Sequence, residues 1–335
     1  MADVMIPDLT LEPALDFCKE LDNYEWKDEN EFDFSRVRRC EPFAMLLVGL
    51  KIKEGRKQHK SVSCIASNID NTYATTMRFY QFVGLKIGKS MNAQYGNNNY
   101  QPITKLDMLE IYNERRQSNR EIGDLITERA EKMATVLASG NEEMKLLMTF
   151  CLREMLRNIR EHSDSLEGWY CAQYWRYDDI VEFAIVDNGR GILKSLNSNI
   201  TYAAEFMDDK SALLKALQPG VSRAFLENED VEEFRIDPWK NSGYGLYMVS
   251  QLCAKLGGDF VIASGDTAIR VGQDINGNII YDNYQTNVQG TAIRMRLRRN
   301  YNVNIEKIKK EIIEGAQHNN EDAYKIVSNS SLLKI

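Results

Sequence analysis

The sequence predicts an α/β protein made of two parts. Its 335 residues exceed what one hydrophobic core usually serves, because single cores rarely grow beyond about 250 residues. Along the first third of the chain, strand-like runs alternate with helical ones, a pattern typical of a sheet covered by helices. The C-terminal half adds β-rich runs and long helical patterns, so we expect a second α/β domain there.

Composition and charge exclude several functional classes. Hydrophobic residues make up 43% and charged residues 27% of the chain, as in ordinary soluble globular proteins. The net charge of −7 argues against a protein that mainly grips a phosphate backbone, so no nucleic-acid partner is expected. The basic run at residues 294–299 alternates along a predicted strand, and we interpret it as a solvated face.

The cysteines and the N-terminus indicate a cytoplasmic protein. Six cysteines are scattered without a Cys-x-x-Cys pair, so zinc-ligand spacing is absent and a reducing compartment is expected. The N-terminal residues lack a signal pattern. The longest uncharged apolar run, residues 42–50, is shorter than the roughly 20 residues of a membrane span. No membrane partner is therefore expected.

Residues 1–105 form the predicted N-terminal α/β domain. Strands are predicted at residues 31–35 and 61–66, and helices at residues 42–53 and 72–83, the second helix ending at Gly84. This order predicts a small sheet with helices on one side. It resembles the STAS-like domains that partner anti-sigma kinases, although Phe34-Ser35-Arg36-Val37 stands where those domains carry an Asp-Ser or Asp-Thr phosphoacceptor.

Two segments flank the C-terminal domain. Residues 94–102 are polar and turn-rich, so they are interpreted as a loop or linker. Within residues 106–140 a long helix is predicted at 120–138, with apolar positions at helical spacing; it either packs on its own domain or forms a dimer seam. Residues 301–335 carry one charged helix at 305–316 and a polar tail.

The first motif of residues 141–300 lies on a predicted helix. Glu154, Asn158 and His162 are spaced four residues apart and share one stripe, next to an apolar face that includes Met155 and Ile159. An amide oxygen is a ligand that Mg²⁺ accepts, and a carboxylate one turn away can orient or deprotonate an attacking group. The alternative is an ordinary polar helix surface, with His162 as a helix-end polar residue.

The second motif ends a β-rich run at residues 180–186. Asp187 stands at the strand tip and is followed by Asn188-Gly189-Arg190-Gly191. A carboxylate there can accept the amino hydrogens of adenine, and glycines let the backbone pass close to a flat base. The alternative is a tight turn, because Asp-Asn-Gly is also turn chemistry.

The third motif, Gly243-Tyr244-Gly245-Leu246, opens a helix that Gly257-Gly258 closes. Free amides and the dipole at a helix N-terminus favour phosphate. The pattern is neither a P-loop nor a dinucleotide fingerprint. The fourth motif, Gly290-Thr291, opens a strand at residues 290–297 that pairs with a run at 259–264 through a hairpin around Asn276-Gly277-Asn278.

In this order the four motifs resemble the Bergerat nucleotide site of the GHKL ATPases, the superfamily of gyrase, histidine kinases, anti-sigma kinases and mismatch-repair ATPases. The likeness covers roughly residues 140–300 and is greatest to the anti-sigma kinase type. It implies an α/β sandwich, in which a mixed sheet carries helices on one face and ATP with Mg²⁺ binds between the helices and a lid. The roughly fifty residues between Gly191 and Gly243, with a helical stretch at 212–217, correspond to that lid.

The resemblance also implies residue roles. Glu154 would be the catalytic base, Asn158 the Mg²⁺ ligand and His162 a nucleotide contact near the phosphates. Arg223 is a candidate phosphate sensor in the lid. The remaining predicted nucleotide-binding residues are Asp187, Gly189, Gly191, Gly243, Tyr244, Gly245, Leu246 and Thr291.

Three functions remain open at the level of sequence. The first is a conformational switch that binds Mg-ATP, hydrolyses it slowly and acts on a protein partner, with a homodimer as one arrangement. The second is a serine/threonine kinase of the anti-sigma type, and the third is a nucleotide-sensing module without turnover. None of the three histidines lies at residues 120–138, and few residues follow position 300, which argues against a self-phosphorylating histidine kinase and against a gyrase-like transducer.

Overall fold

A computed structural model describes residues 2–59, 63–85, 87, 99–163, 165–198, 205–221, 243–299 and 305–318. The strands are β1 (Ala2–Met5), β2 (Glu29–Asp33), β3 (Ser63–Ser67), β4 (Tyr100–Asp107), β5 (Glu167–Trp175), β6 (Ile180–Asp187), β7 (Asp259–Gln273) and β8 (Ile279–Arg298). The helices are α1 (Leu11–Glu20), α2 (Pro42–Gln58), α3 (Thr72–Thr76), α4 (Phe79–Phe82), α5 (Met108–Ser118), α6 (Ile122–Ala138), α7 (Glu142–His162), α8 (Ile192–Asn197), α9 (Asp209–Ala216), α10 (Gly245–Lys255) and α11 (Ile305–His318). The predicted α/β class is confirmed.

The strands form two sheets. The first contains three parallel strands in the order β1-β2-β3. The second contains five strands in the order β4-β5-β6-β8-β7, and every described pair in it is antiparallel rather than mixed. Strand β4 crosses the domain boundary predicted at residue 105, and it begins inside the segment predicted as a loop, of which residues 94–98 lie outside the described part.

The N-terminal part contains the predicted order of strand, helix, strand and helix from β2 onward, with two differences. Strand β1 and helix α1 precede that order and were not predicted. The helix predicted at residues 72–83 is two short helices, α3 and α4, because Arg78 adopts a left-handed backbone conformation with φ of 63°. A left-handed non-glycine residue cannot continue a right-handed helix. Gly84 has φ of 89° and ends α4 as predicted.

One face of the five-stranded sheet carries the helices of the C-terminal half. In β6, Val181, Phe183 and Ile185 belong to the same buried core as α6, α7, α10 and α11, since alternate residues of a strand face the same side. The apolar stripe predicted on α7 is buried, with Met155 fully inaccessible. Helix α6 buries its apolar face against α7, so it packs on its own domain.

The N-terminal helices cover the opposite face of this sheet. Helix α2 contacts β5, β6 and β8, and α1 contacts β8. The residues from Phe43 to Leu47 are all buried, because the first half of α2 is apolar all round, as expected of a helical segment enclosed on all sides. Ala184 and Val186 of β6 belong to the same core as these helices. The helices of the C-terminal domain thus lie on one face of the sheet, as predicted, and the N-terminal helices cover the other face.

Buried charges join the two parts, and they correct the interpretation of the basic run. Arg294 is 2% exposed and pairs with Asp259 at 2.9 Å and with Glu41 at 3.4 Å. Arg296 pairs with Glu41 at 3.0 Å and with Glu182 at 2.6 Å. The predicted solvated face is wrong, because the N-terminal domain supplies an anion against this side of β8. Burial, together with the Glu182 carboxylate, raises the pKa of Glu41 above its usual range despite the two guanidinium groups.

Two smaller predictions are confirmed. Strands β7 and β8 form the predicted hairpin, with Gly277 at φ of 81° in its turn. The charged helix predicted at residues 305–316 is α11, and the tail beyond it lies outside the described residues. All six cysteines are free thiols. Within the described ranges, no helix has both the length and the apolar character needed to cross a bilayer.

Candidate functional site

A cleft opens between α7, α8 and the face of the five-stranded sheet that carries the C-terminal helices. It contains about 450 Å³ of empty space that is partly open to solvent. Of the residues predicted to bind nucleotide, Asn158, Asp187, Gly191, Leu246 and Thr291 line it. The structure therefore brings together residues from all four motifs, which are separated by more than 130 positions along the chain.

The floor of the cleft is apolar and its rim is polar. Strands β6 and β8 are paired so that Asp187 lies opposite Thr291. Two residues further along the two strands, Ile185 lies opposite Ile293. Ile262 of β7 pairs with Ile293 on its other side. The three isoleucines thus form a row across neighbouring strands, directly beside the Asp187–Thr291 pair. A flat apolar surface with one carboxyl group at its edge suits a planar base that carries an amino group.

Burial and hydrogen bonding set the electrostatics of Asp187. Its side chain is 4% exposed, and burial raises the pKa of its carboxyl to about 7, although the backbone amides of Gly189 and Thr291 donate to it and oppose the shift. The Gly189 amide lies 2.7 Å from Oδ1. Because burial disfavours the ionised form of this carboxyl, a ligand that donates hydrogen bonds to the carboxylate would stabilise it.

The glycines after Asp187 are required by close approaches. A Cβ atom on Gly189 would lie 2.0 Å from the carbonyl oxygen of Ser163, and the same oxygen accepts a bond of 2.8 Å from the Arg190 amide. Gly191 has φ of 77°, which favours glycine. This loop is therefore fixed against the end of α7.

Ser264 fastens the loop to the Gly-Thr motif. Its hydroxyl donates to the carbonyl of Gly290 at 2.7 Å and accepts from the amide of Ile192 at 3.0 Å. Gly290 has φ of 82°, and a Cβ atom on it would lie 2.2 Å from the carbonyl oxygen of Asp187. One buried hydroxyl thus ties the start of α8 to the bend in β8.

Asn158 offers an unused donor at the cleft wall. Its Nδ2 atom is buried and has no hydrogen-bond partner among the described residues. A buried amide donor without a partner costs free energy, so a ligand with acceptor oxygens would satisfy it. An amide oxygen such as the one on this side chain is a ligand that a hard cation such as Mg²⁺ accepts.

Glu154 is buried next to the start of α10. Its Oε1 atom pairs with Arg153 at 2.9 Å and with Arg157 at 3.5 Å. Its Oε2 atom faces Gly245, where a Cβ atom would lie only 2.6 Å from that oxygen. The glycine thus allows a carboxylate to approach the helix N-terminus, which has a favourable dipole for an anion.

The other residues of the third motif differ in role. Gly243 has φ of 76°, and a Cβ atom on it would meet the backbone of Gly220 and Val221 at 2.6 Å. Tyr244 is buried in the helix-side core rather than facing the cleft. The described part of the predicted lid contains α9, which matches the helical stretch expected at 212–217.

Two predicted contacts fall outside the described residues. Arg223 belongs to the range 222–242, and the side chain of His162 is also outside what the structure describes. Their predicted contacts with nucleotide stay predictions.

The sequence reasoning missed part of the cleft. Ser163, Ser195, Met155 and Ile159 line it, and so does the row of isoleucines. The strand positions could have been found from the motifs, because a residue two positions from Asp187 or Thr291 faces the same side of its strand. No local signal identifies Ser264, whose role depends on two loops distant in sequence.

Comparisons with known proteins add little to this geometry. The sequence matches no protein-family model, and a search of curated proteins finds no match. The ATPase region of Saccharomyces cerevisiae topoisomerase II is similar in structure at a TM-score of 0.26 and 11% identity, over 51% of this chain and 43% of that one. The N-terminal domain of a DNA repair protein matches at a TM-score of 0.16 and 18% identity, over 41% of this chain and 32% of that one. This chain thus spans less than half of either structure. At these scores the likenesses are too weak to support a function.

Proposed function

We propose that the cleft binds Mg-ATP and that the protein uses ATP binding, with slow hydrolysis, as a conformational switch that acts on a protein partner. The observation that carries this proposal is the position of Asp187. Its buried carboxyl lies at the edge of the isoleucine row and opposite Thr291, in the motif order that resembles the GHKL ATPases.

The part of the cleft around Asp187 has the features needed to bind adenine. The Asp187 carboxylate would accept hydrogen bonds from the exocyclic amino group, and the isoleucines would contact the ring. Guanine carries a carbonyl at the corresponding position, and an acceptor placed against an acceptor is unfavourable. The hydroxyl of Thr291, on the strand position opposite Asp187, would bind the same edge of the base. Selectivity for ATP over GTP is therefore expected.

The phosphates of the nucleotide would be bound by Asn158 and by the start of α10. The unpartnered Nδ2 donor of Asn158 and the amides at the start of α10 fit an anionic ligand with many acceptors. Asn158 would hold Mg²⁺ together with the phosphates and water. Bound Mg²⁺ would neutralise developing charge on the phosphates.

A second candidate is a nucleotide-sensing module without turnover, and the environment of Glu154 favours it. The carboxylate that the resemblance assigns as the base is held by two guanidinium groups. A carboxylate oxygen engaged in two ion pairs must be released before it can contact an attacking water, so hydrolysis requires these pairs to loosen. Nothing in the described residues specifically favours the kinase alternative.

The lid and the N-terminal domain supply the expected route to a partner. Helix α9 of the predicted lid contacts β7 through the bond of 3.0 Å from the Asp266 amide to the Asp209 carboxylate. The same sheet carries α1 and α2 on its far face. Ordering of a lid over a nucleotide is a common way to convert ligand binding into a conformational signal. A homodimer is one partner arrangement that light scattering with and without ATP would test.

The test is to follow the γ-phosphate of labelled ATP with Mg²⁺ for the wild type and Glu154→Gln. Slow release of phosphate by the wild type, with a loss of at least about 100-fold in Glu154→Gln, supports a hydrolysing switch. Bound ATP that is not consumed by either protein supports the sensing module. Absence of any ATP binding to the wild type contradicts both functions.

A further inference from the structure

A second cavity lies on the opposite side of the five-stranded sheet, where the N-terminal domain meets β8. It contains about 620 Å³ of empty space that is partly open to solvent. Three elements enclose it: the segment after α1, the C-terminal half of α2, and β8. Its lining is polar and aromatic, and the residues used below are Asp22, Trp26, Lys51, Glu54, Gln58 and Gln289.

The charges in this cavity do not balance. Lys51 pairs with Asp22 at 2.5 Å and donates to the carbonyl of Asn287 at 3.1 Å. Asn287 also donates to the Asp22 carboxylate through its side chain. Lys51 is therefore satisfied by groups already present, and its charge is compensated by Asp22.

The remaining acidic group of the lining is Glu54, and one of its carboxylate oxygens lacks a donor among the described residues. Its Oε1 atom is buried and has no hydrogen-bond partner among the described residues. Burial raises the pKa of its carboxyl to about 7, against the attraction of Lys51. A buried carboxylate oxygen without a donor is costly, and the described residues supply none to Oε1.

The aromatic wall fixes the shape of the cavity. The Trp26 ring stacks on His59 at a centroid distance of 5.3 Å and an interplanar angle of 15°. It also packs so closely on Gly55 that a Cβ atom there would lie 2.2 Å from the ring. The packed Trp26 ring thus forms one wall of the cavity and β8 forms another. Ligand sites are often preformed cavities of this kind at domain interfaces.

We infer that this cavity is a second ligand site, for a small organic cation with a primary ammonium or guanidinium group that donates to Glu54. An anion would be repelled by Glu54, and a neutral ligand without donors would leave its oxygen without a partner. A compact cation satisfies both the charge and the hydrogen bonding. The aromatic ring of Trp26 provides further contact for such a cation.

The site is connected to the nucleotide cleft by one strand. Gln289 lines the second cavity and Thr291, two residues later, lines the cleft. The bend at Gly290 lies between them and is held by Ser264. A cation that alters the position of β8 would alter the affinity of the nucleotide site, and the effect would be reciprocal. This coupling rests on the proposed nucleotide function, whereas the cation site itself does not.

The test uses the full chain without nucleotide and compares ethylammonium and methylguanidinium chlorides with sodium chloride at equal ionic strength. Thermal unfolding and calorimetry should show saturable binding of at least one organic cation to the wild type. Glu54→Gln, which keeps the shape and removes the charge, should weaken that binding at least about tenfold. Glu110→Gln, on the exposed surface of α5, should leave it unchanged.

A second variant acts in the opposite direction. Gln58→Glu adds a carboxylate to the lining of the same cavity, so binding of the cation should become tighter by several-fold. The inference is overturned if neither organic cation differs from sodium, or if Glu54→Gln binds them as the wild type does. A separate titration with Mg-ATP distinguishes the two proposals. Mg-ATP binding without any cation response overturns this site alone. A cation response in a protein that binds no Mg-ATP overturns the proposed nucleotide function and leaves the site in place.

Discussion

Asp187 and Thr291 lie opposite each other on neighbouring antiparallel strands, and the backbone amide of Thr291 donates to the Asp187 carboxylate. This pairing joins the second and fourth motifs through the sheet itself, without depending on a loop. It also fixes a buried carboxyl group at the edge of an apolar surface. The binding properties of the cleft follow from that arrangement.

The stability of the protein should depend on the ionisation of Asp187. Because its folded pKa is raised to about 7 above the unfolded value, the folded state binds a proton more tightly, and stability falls as the pH rises from about 4 through 7. Asp187→Asn cannot ionise, so that loss should be absent from it. Urea unfolding at pH 5 and pH 8 should show a difference between the proteins on the order of a few kcal/mol at the higher pH. Equal pH dependence of both proteins would contradict the raised pKa.

Gly290→Ala should be far more harmful than Gly277→Ala. Both glycines have similar φ values, 82° and 81°, but a Cβ atom on Gly290 would collide with the Asp187 carbonyl while one on Gly277 meets nothing within 4 Å. The backbone cost alone is about 1–2 kcal/mol at either position. Gly290→Ala should add a collision cost of about 2 kcal/mol or more, measured by urea unfolding. Equal losses would show that the bend in β8 is not tightly packed.

Ser264→Ala should loosen the nucleotide cleft. Removal of the hydroxyl leaves the Ile192 amide and the Gly290 carbonyl without their shared partner, which should cost about 1–3 kcal/mol. Ser118→Ala removes a hydroxyl bond on an exposed helix and should cost less than about 0.5 kcal/mol. Chemical denaturation of the two variants makes the comparison. Similar losses of unfolding free energy in both variants would show that Ser264 does not hold the two loops of the cleft together.

Arg294→Met tests the charged junction between the two parts. The substitution leaves Asp259 and Glu41 buried without this guanidinium group, so unfolding should become easier by about 3–5 kcal/mol. Arg298→Met changes an exposed arginine on the same strand and should fall within about 0.5 kcal/mol of the wild type. Urea unfolding distinguishes them, and an unaffected Arg294→Met protein would show that the ion pairs do not stabilise the junction.

Much of the C-terminal fold follows from local sequence patterns. The apolar stripe of α7 and the β-rich run before Asp187 were sufficient to locate the first two motifs. Asn141 is the N-cap residue of α7. Its side chain accepts a hydrogen bond of 3.0 Å from the Met144 amide, as asparagine commonly does at a helix start. The hairpin at Gly277 was equally predictable, since Asn-Gly is strong turn chemistry.

The arrangement of the two parts could not be predicted from local patterns. Alternating arginines in β8 are typical of an exposed strand, and only the approach of Glu41 from the N-terminal domain makes their burial possible. Likewise, Arg153 and Arg157 look like surface residues of a polar helix, yet both are about 2% exposed or less beside Glu154. Each case depends on a partner distant in sequence or in a different element.

The most direct test of the central claim is calorimetric titration of ATP with Mg²⁺ into the wild type, Asp187→Asn and Asp178→Asn. Asp178 lies in the exposed turn before β6 and controls for the change of charge. Saturable binding of ATP to the wild type and Asp178→Asn, weakened at least about 100-fold in Asp187→Asn and much weaker for GTP, is the predicted result. Equal affinity of all three proteins for ATP, or no binding to the wild type, would contradict the assignment of the cleft as an adenine-nucleotide site.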